Sequence, residues 1–313
     1  MKGIEVSQAY FAEYGMPMLQ GQFPDVLPHV AAGLFGSGSE CFGYDDGLSR
    51  DHDFDPGFIL LLPGEDVIDR KLEFALERAY AALPAEFMGV KRPKLAPVGG
   101  ARRGVVRMGD FLADKTGSPA GELTVSQWLA VPSYALAEAV NGAVFYDGSG
   151  EFTRVRERLA RYPGDIRRKK LAGHLLLAAQ AGQYNYPRCL GHGETAAAQL
   201  AVIAFVQSAM EAVFLLNNMY QPFYKWRFRA MRALPKLSIL AELFEYLITT
   251  DNDGQLAQDK AEVIEGIAAD LIEELDAQGL TNANCDDLEK HAYSVNDSIA
   301  DGNIRNLHIL AGV

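Results

Sequence analysis

Asp51 and Asp53 stand one residue apart. On a strand, alternate side chains share a face, so both carboxylates would point the same way. Two like charges that close are costly unless a cation sits between them. Magnesium suits the place, because it prefers hard oxygen ligands and often takes one or two carboxylates together with substrate phosphates. Upstream, Gly36-Ser37-Gly38-Ser39 is a run of small residues. Such a turn lets backbone N–H groups come close to a phosphate. A phosphate cradle beside a carboxylate pair is the layout that nucleotidyl transfer needs. His52, between the acids, would face the other way and reads as a packed or supporting histidine. Asp55 shares the face of the pair only if the strand continues, which Pro56 opposes.

These residues need elements to hold them. Val30–Phe35 reads as a first strand running into the glycine turn. Phe58–Leu62, apolar throughout, reads as a second strand covered on both faces. Residues 4–20 carry helical spacing through Tyr10, Phe11, Tyr14 and Met18. Val67–Leu83 reads as a helix with Ile68, Leu72, Phe74, Ala75 and Ala79 on one side. Lys91–Gly104, rich in Pro, Gly and basic residues, reads as a loop, and Val105–Met108 as a short third strand. Beyond it strand signals are few. Helical periodicity runs through Ser133–Val140, Glu151–Arg161, Asp165–Gln183, Thr195–Asn218, Phe223–Ala233, Ser238–Thr249 and Gln255–Gln278. The expected fold is therefore an α/β (α+β) domain with a small mixed sheet over residues 1–150. An all-α helical bundle follows over 151–313, with the boundary between Asp147 and Pro163.

The order Gly-Ser, spacer, Asp-x-Asp with apolar flanks resembles the signature of the DNA-polymerase-beta-like nucleotidyltransferase superfamily. Gly38–Asp45 with Ser49–Asp53, Val144–Asp147 with Gly150–Phe152, Arg161–Ile166 and Tyr220–Trp226 look like a bacterial nucleotidyltransferase-like family known only as a domain of unknown function. The likeness spans about residues 5 to 235, and its plan is similar to that of aminoglycoside nucleotidyltransferases. It implies that Asp51 and Asp53 hold Mg2+, that Gly36, Ser37, Gly38 and Ser39 cradle the phosphates of an NTP such as ATP, and that a third carboxylate on a later strand acts as base. Here the later strand offers Arg107 where that acid is expected. Asp110 lies just beyond it, and Glu122, Asp45, Asp55 and Glu211 are further options. In Tyr220–Trp226, Lys225 could neutralise polyphosphate and an adjacent aromatic, Tyr224, could stack on a base. Spacing alone favours a helix start with exposed Lys225 and a core Trp226; the resemblance favours the site.

The implied activity is metal-dependent transfer of a nucleoside monophosphate from NTP to an unidentified hydroxyl-type acceptor, a small molecule or a protein. The alternatives are a non-catalytic nucleotide-binding or regulatory protein and a toxin–antitoxin component of the same fold. A net charge of −12 over 313 residues disfavours bulk nucleic acid as partner. Cys41, Cys189 and Cys285 make neither zinc spacing nor a disulfide framework, which suits a cytoplasmic setting. No run reaches the length of a membrane span; Leu200–Leu216 is interrupted by Gln207, Ser208 and Glu211 and reads as a buried bundle helix. Arg167-Arg168-Lys169-Lys170, before His174, reads as a solvated basic helix turn. A homodimer is left open.

Overall fold

The computed structural model describes residues 1–47, 55–92 and 103–313. Two compact units emerge, Met1–Leu123 with Val131–Ala160, and Thr124–Ala130 with Arg161–Val313. The first unit ends at Ala160, and the chain also lends 124–130 to the second. No shift in composition announces that earlier crossing.

In the first unit, α1 (Gly3–Tyr10) passes through a π turn (Phe11–Gly15) into α2 (Met16–Gln22). Periodicity alone predicts one uninterrupted helix. The interruption has a cause in Pro17, which has no N–H to continue the α ladder. Gly15 sits in the widened turn, where a Cβ would come within 2.7 Å of the Phe11 and Phe58 rings. Four strands follow as one mixed sheet in the order β5-β2-β1-β6. They are β1 (Ala31–Leu34), β2 (Ile59–Leu62), β5 (Gly104–Arg107) and β6 (Ala143–Asp147), while β3 (Glu86–Phe87) and β4 (Val90–Lys91) make a separate hairpin. β1 runs antiparallel to β2 and β6, and β2 parallel to β5. A parallel pair needs a crossover helix, and α3 (Arg70–Ala81) supplies it. Every residue of β1 and β2 is buried, as expected of strands covered on both faces.

Three details depart from the sequence reading. Helix α3 starts at Arg70 instead of Val67, because the Asp69 carboxylate caps it by accepting the Leu72 N–H at 2.8 Å. Phe74 is 60% exposed, since Leu76 and Tyr80 define the buried face and Phe74 lies opposite. The fourth strand, β6, was not anticipated among the helical signals, although Val144-Phe145-Tyr146 is a strand-forming run. Helix α4 (Met108–Thr116) begins directly at the end of β5; α5 (Val125–Ala130) is the segment lent to the second unit; α6 (Ser133–Val140) and α7 (Glu151–Leu159) flank β6 in the chain.

The second unit is helical. Its elements are α8 (Gly164–Ala178), α9 (Tyr186–Gly191), α10 (Thr195–Leu216), α11 (Arg227–Met231), α12 (Leu240–Thr249), α13 (Gly254–Ala277), α14 (Leu288–Asp297) and α15 (Gly302–Arg305). A second π turn (Ala179–Asn185) joins α8 to α9. It repeats the logic of the first: Pro187 follows it by two residues, and Gly182 inside it lies against the Phe205 ring. Helix α10 is long and apolar enough to cross a membrane by composition, but 61% of that window is buried inside the protein, as in the core helix of a bundle.

The basic run on α8 is not the solvated turn that its composition suggests. Lys169 is fully buried, and its ammonium donates to Asn296 Oδ1 (2.8 Å), the Leu307 carbonyl (2.7 Å) and the Arg305 carbonyl (3.2 Å). Lys170 is 7% exposed and donates to the carbonyls of Leu129 (2.9 Å) and Gly312 (2.7 Å). Carbonyl dipoles satisfy the donors, but desolvation still disfavours the charge. Burial pushes Lys170 down to about 8, partly offset by the charge of Glu211.

That shift has a consequence for stability. An unfolded lysine holds its proton up to about pH 10.4, so between about 8 and that value the unfolded chain binds the proton that folded Lys170 releases. Stability contributed by this site therefore rises with pH across the window. Denaturant unfolding of wild type and Lys170→Met, compared near neutral pH and near pH 10, should show wild type gaining about 2 kcal/mol relative to the variant at the higher pH. An equal difference at both pH values would mean that Lys170 titrates as an ordinary lysine.

Candidate functional site

The glycine turn follows directly from β1. Phe35 anchors its start in the core, 5.1 Å from the Phe111 ring and 4.7 Å from the Phe152 ring. Gly36 (φ +95°) and Gly38 (φ +133°) then take backbone conformations that side chains rarely adopt. A Cβ on Gly38 would also sit 2.6 Å from a carboxylate oxygen of Glu40. Asn141, just past α6, clamps Gly36 from both sides: its Oδ1 accepts the Gly36 N–H and its Nδ2 donates to the Gly36 carbonyl, each at 2.8 Å. Arg156 in turn donates to the Val140 and Asn141 carbonyls, each at 2.6 Å. The N–H of Gly36 is therefore spent on Asn141 and not offered to a phosphate, a correction to the expected cradle. Among the described residues nothing accepts from the N–H groups of Ser37, Gly38 or Ser39.

Around this turn stand charged groups that spacing did not reveal. The Ser37 hydroxyl donates to Glu138 Oε2 at 2.7 Å, and the Lys115 ammonium reaches the same oxygen at 2.9 Å and Ser37 Oγ at 3.2 Å. Burial pulls the Lys115 ammonium down, but its hydrogen bonds to Glu138 and Asp114 and their charges prevail, so it is held above the usual lysine value. Below the turn, Arg103 and Glu40 form a buried ion pair at 3.0 Å. Burial opposes the Arg103 charge, but Glu40, with Cys41 and Asp55, outweighs it and holds the guanidinium above its usual value.

Asp51, His52 and Asp53 lie outside the described residues. The chain that leaves them is tightly held. Asp55 sits in a turn and not on a strand, accepting the Gly57 N–H at 2.7 Å, as Pro56 foretells. Ser7 donates to the Gly57 carbonyl at 2.8 Å, and the Tyr80 hydroxyl takes both the N–H (3.0 Å) and the carbonyl (2.7 Å) of Phe58. The register pairs Gly33 with Ile59, so the end of β1 meets the beginning of β2. The glycine turn and the entry from Asp55 into β2 thus share one end of the sheet.

Asp110 is differently situated. β5 is parallel to β2 and pairs Arg107 with Leu62, so α4 begins at the opposite end of the sheet. Asp110 is exposed in its first turn, where a carboxylate suits the helix dipole. The side chains that α4 brings to the glycine turn are Phe111 and Lys115, one helical turn apart. Arg107 itself is structural. It donates to Glu73 (2.6 Å) and to the carbonyls of Pro63 (2.6 Å) and Ile68 (2.8 Å). Glu122 is exposed. Asp45 is buried, accepting the Gly3 N–H at the start of α1 at 2.9 Å. Glu211 belongs to the helical unit, where burial raises its carboxyl to about 7 against the pull of Arg227 and Lys170. The carboxylate that meets Ser37 is Glu138, which is 101 residues from Ser37 and so carries no local signal.

In the helical unit, Tyr224–Trp226 forms a 3-10 turn before α11. Tyr224 is 66% exposed, with its ring 4.6 Å from that of Phe223. Lys225 is exposed and its ammonium lies 5.2 Å over the ring of Trp226, which is half-buried rather than a core residue. Beneath the segment, Tyr220 packs edge-on to Tyr162 at 4.7 Å, and Tyr162 to Trp128 at 6.0 Å. On α8, Arg167 donates to Gln278 and Arg168 pairs with Asp165. Burial and the charges of Lys170 and Arg227 push His174 down to about 3, so it is neutral at physiological pH. Among the described residues no three Asp, Glu, His or Cys side chains are grouped to hold a metal ion.

Residues 128–227 match the model of a family described as Domain of unknown function (DUF4037). No curated protein and no solved structure matches the chain.

The clamp on Gly36 can be tested directly. Asn141→Ala removes two hydrogen bonds to a turn that cannot replace them, and should cost about 1–3 kcal/mol in denaturant unfolding. Asn141→Asp, which can still accept but no longer donate, should lose less. If Asn141→Ala unfolds at the wild-type midpoint, the turn is held by other means.

Proposed function

We propose that the chain binds an NTP, ATP in the first instance, and transfers its nucleoside monophosphate to a hydroxyl-type acceptor, a small molecule or a protein side chain. One observation supports this above the others. A turn with three N–H groups that nothing described accepts from lies at the sheet end where β2 begins, and in the sequence Asp51 and Asp53 come a few residues before that start. Adjacent backbone N–H groups in a glycine-rich turn are an anion-binding device. An ammonium, Lys115, stands beside them. The donor set therefore suits phosphate, and the Asp-x-Asp pair that precedes β2 in the sequence suits a hard divalent cation. Asp51 and Asp53 would hold magnesium, which when bound neutralises polyphosphate charge. In the helical unit, Tyr224 is an exposed ring and Lys225 an exposed ammonium, the chemistry of base stacking and phosphate contact.

Transfer would form a bond between the acceptor oxygen and the α-phosphorus and break the bond to pyrophosphate, with the acceptor proton passing to a base. Positioning and charge neutralisation do most of such work. A second reading, a nucleotide-binding protein without transfer, is favoured by one specific feature: the strand position where the superfamily pattern has its third acid holds Arg107, committed to Glu73.

The reading is tested with the Asp51→Asn/Asp53→Asn double variant. Magnesium-dependent ATP binding should disappear while thermal stability without metal holds or rises, because mutual repulsion is relieved. Undiminished Mg-ATP binding by the double variant sinks the reading. Pyrophosphate release with candidate acceptors separates transfer from binding alone. Lys225→Ala should weaken NTP binding by about 1–3 kcal/mol and leave a nucleoside nearly unaffected. Equal losses for both ligands would point to a packing defect.

A further inference from the structure

One carboxylate oxygen at the glycine turn does what a phosphate oxygen would do. Glu138 Oε2 accepts from the Ser37 hydroxyl at 2.7 Å and from the Lys115 ammonium at 2.9 Å. The same turn presents the N–H groups of Ser37, Gly38 and Ser39, which meet no acceptor among the described residues. Glu138 is thus seated on two of the donors that an incoming anion would use, beside three N–H groups that no described residue occupies. Lys115 has a second carboxylate at hand, for Asp114 lies 3.0 Å from its ammonium and is 71% exposed. Its charge is consequently not dependent on Glu138 alone. Lys115 and Glu138 reach the turn from α4 and α6, which pack on one another within the same unit, so the pair belongs to the framework of the turn.

We propose that Lys115 is a polyphosphate-binding residue and that Glu138 is a built-in competitor, an anion that must yield Ser37 and Lys115 before a polyphosphate oxygen can take them. The idea deepens the nucleotide reading by naming residues for its phosphate end, but it requires only a phosphate anion and no nucleobase or metal. A competing carboxylate sets a threshold. An anion that fills only the position between Ser37 and Lys115 gains little by displacing a carboxylate, whereas a longer and more highly charged polyphosphate also reaches the adjoining N–H groups. Inorganic phosphate should accordingly bind far less well than tripolyphosphate.

The experiment titrates the full-length protein with magnesium-free tripolyphosphate and follows the backbone amide shifts of Ser37, Gly38 and Ser39. Glu138→Gln keeps the shape and can still accept from Ser37, but removes the competing charge. It should tighten tripolyphosphate binding by roughly threefold to tenfold, the scale of one hydrogen bond's net contribution. A merely structural ion pair predicts no gain. Lys115→Met alone strands the Glu138 charge and can misfold, so the double variant Lys115→Met/Glu138→Gln is used, with thermal unfolding to show that it folds. It should bind roughly tenfold more weakly than Glu138→Gln. Unchanged or weaker binding by Glu138→Gln overturns the proposal, as does absence of tripolyphosphate binding in both wild type and Glu138→Gln. So does a double variant that binds as well as Glu138→Gln. The two readings fail separately. Loss of Mg-ATP binding in Asp51→Asn/Asp53→Asn without a gain in Glu138→Gln leaves the nucleotide reading and removes the competitor. A gain in Glu138→Gln with no Mg-ATP binding by any variant does the reverse.

Discussion

The close approach of Gly33–Gly36 to Asn141–Ala143 is the constraint on which the candidate site rests. A Cβ on Gly33 would run into the Ala143 carbonyl, and one on Gly142 into the Leu34 carbonyl. The backbones can touch there because neither position carries a side chain. The register of β1 against β6 shifts between Ala32 and Gly33, at this contact, passing over Phe145. Asn141 then reads the Gly36 peptide on both sides. Segments more than 100 residues apart are thereby brought together, and Glu138, one helical turn before Asn141, arrives at Ser37 as a consequence.

Buried cations hold the rest of the framework, and they do so mainly through carbonyl oxygens. Arg107 gathers two carbonyls and Glu73; Lys169 and Lys170 gather four carbonyls and one amide between them. Each of these groups crosslinks chain segments distant in sequence. Leaving such a donor without acceptors would cost far more than the modest net value of a hydrogen bond. Arg107 explains why the sheet position expected to hold an acid is not free for one. It braces the β2 end and the approach to α3.

Most elements were legible because their cause is local. Apolar runs made β1 and β2, 3.6-residue periodicity made α6, α7, α8, α10 and α13, and prolines marked the ends. The misreadings share a different origin. Phe74 was assigned to the core by pattern, but the cap at Asp69 and the partners of Leu76 and Tyr80 decide which face of α3 turns inward. Lys169 and Lys170 looked solvated because charge is usually at the surface. Their acceptors lie on residues 129 and 296–312, which a local reading does not connect. Both π turns were invisible as well. A proline and a glycine are each common, and the widened turn depends on which phenylalanine ring the glycine meets.

By itself the sequence determined the composition of the site: a run of small residues, two acids one residue apart, and strands on either side to carry them. The backbone freedom of Gly36 and Gly38 and the apolar content of β2 follow from residue type. Tertiary structure alone decided which of those groups are spent and which are offered. Asn141 takes the Gly36 N–H, Glu138 takes the Ser37 hydroxyl, and the parallel register of β5 carries Asp110 to the far end of the sheet. Hydrogen bonding and ion pairing act over about 3 Å in space and without regard to separation along the chain. A residue's type therefore states what it can bind, and only the fold states what it has already bound.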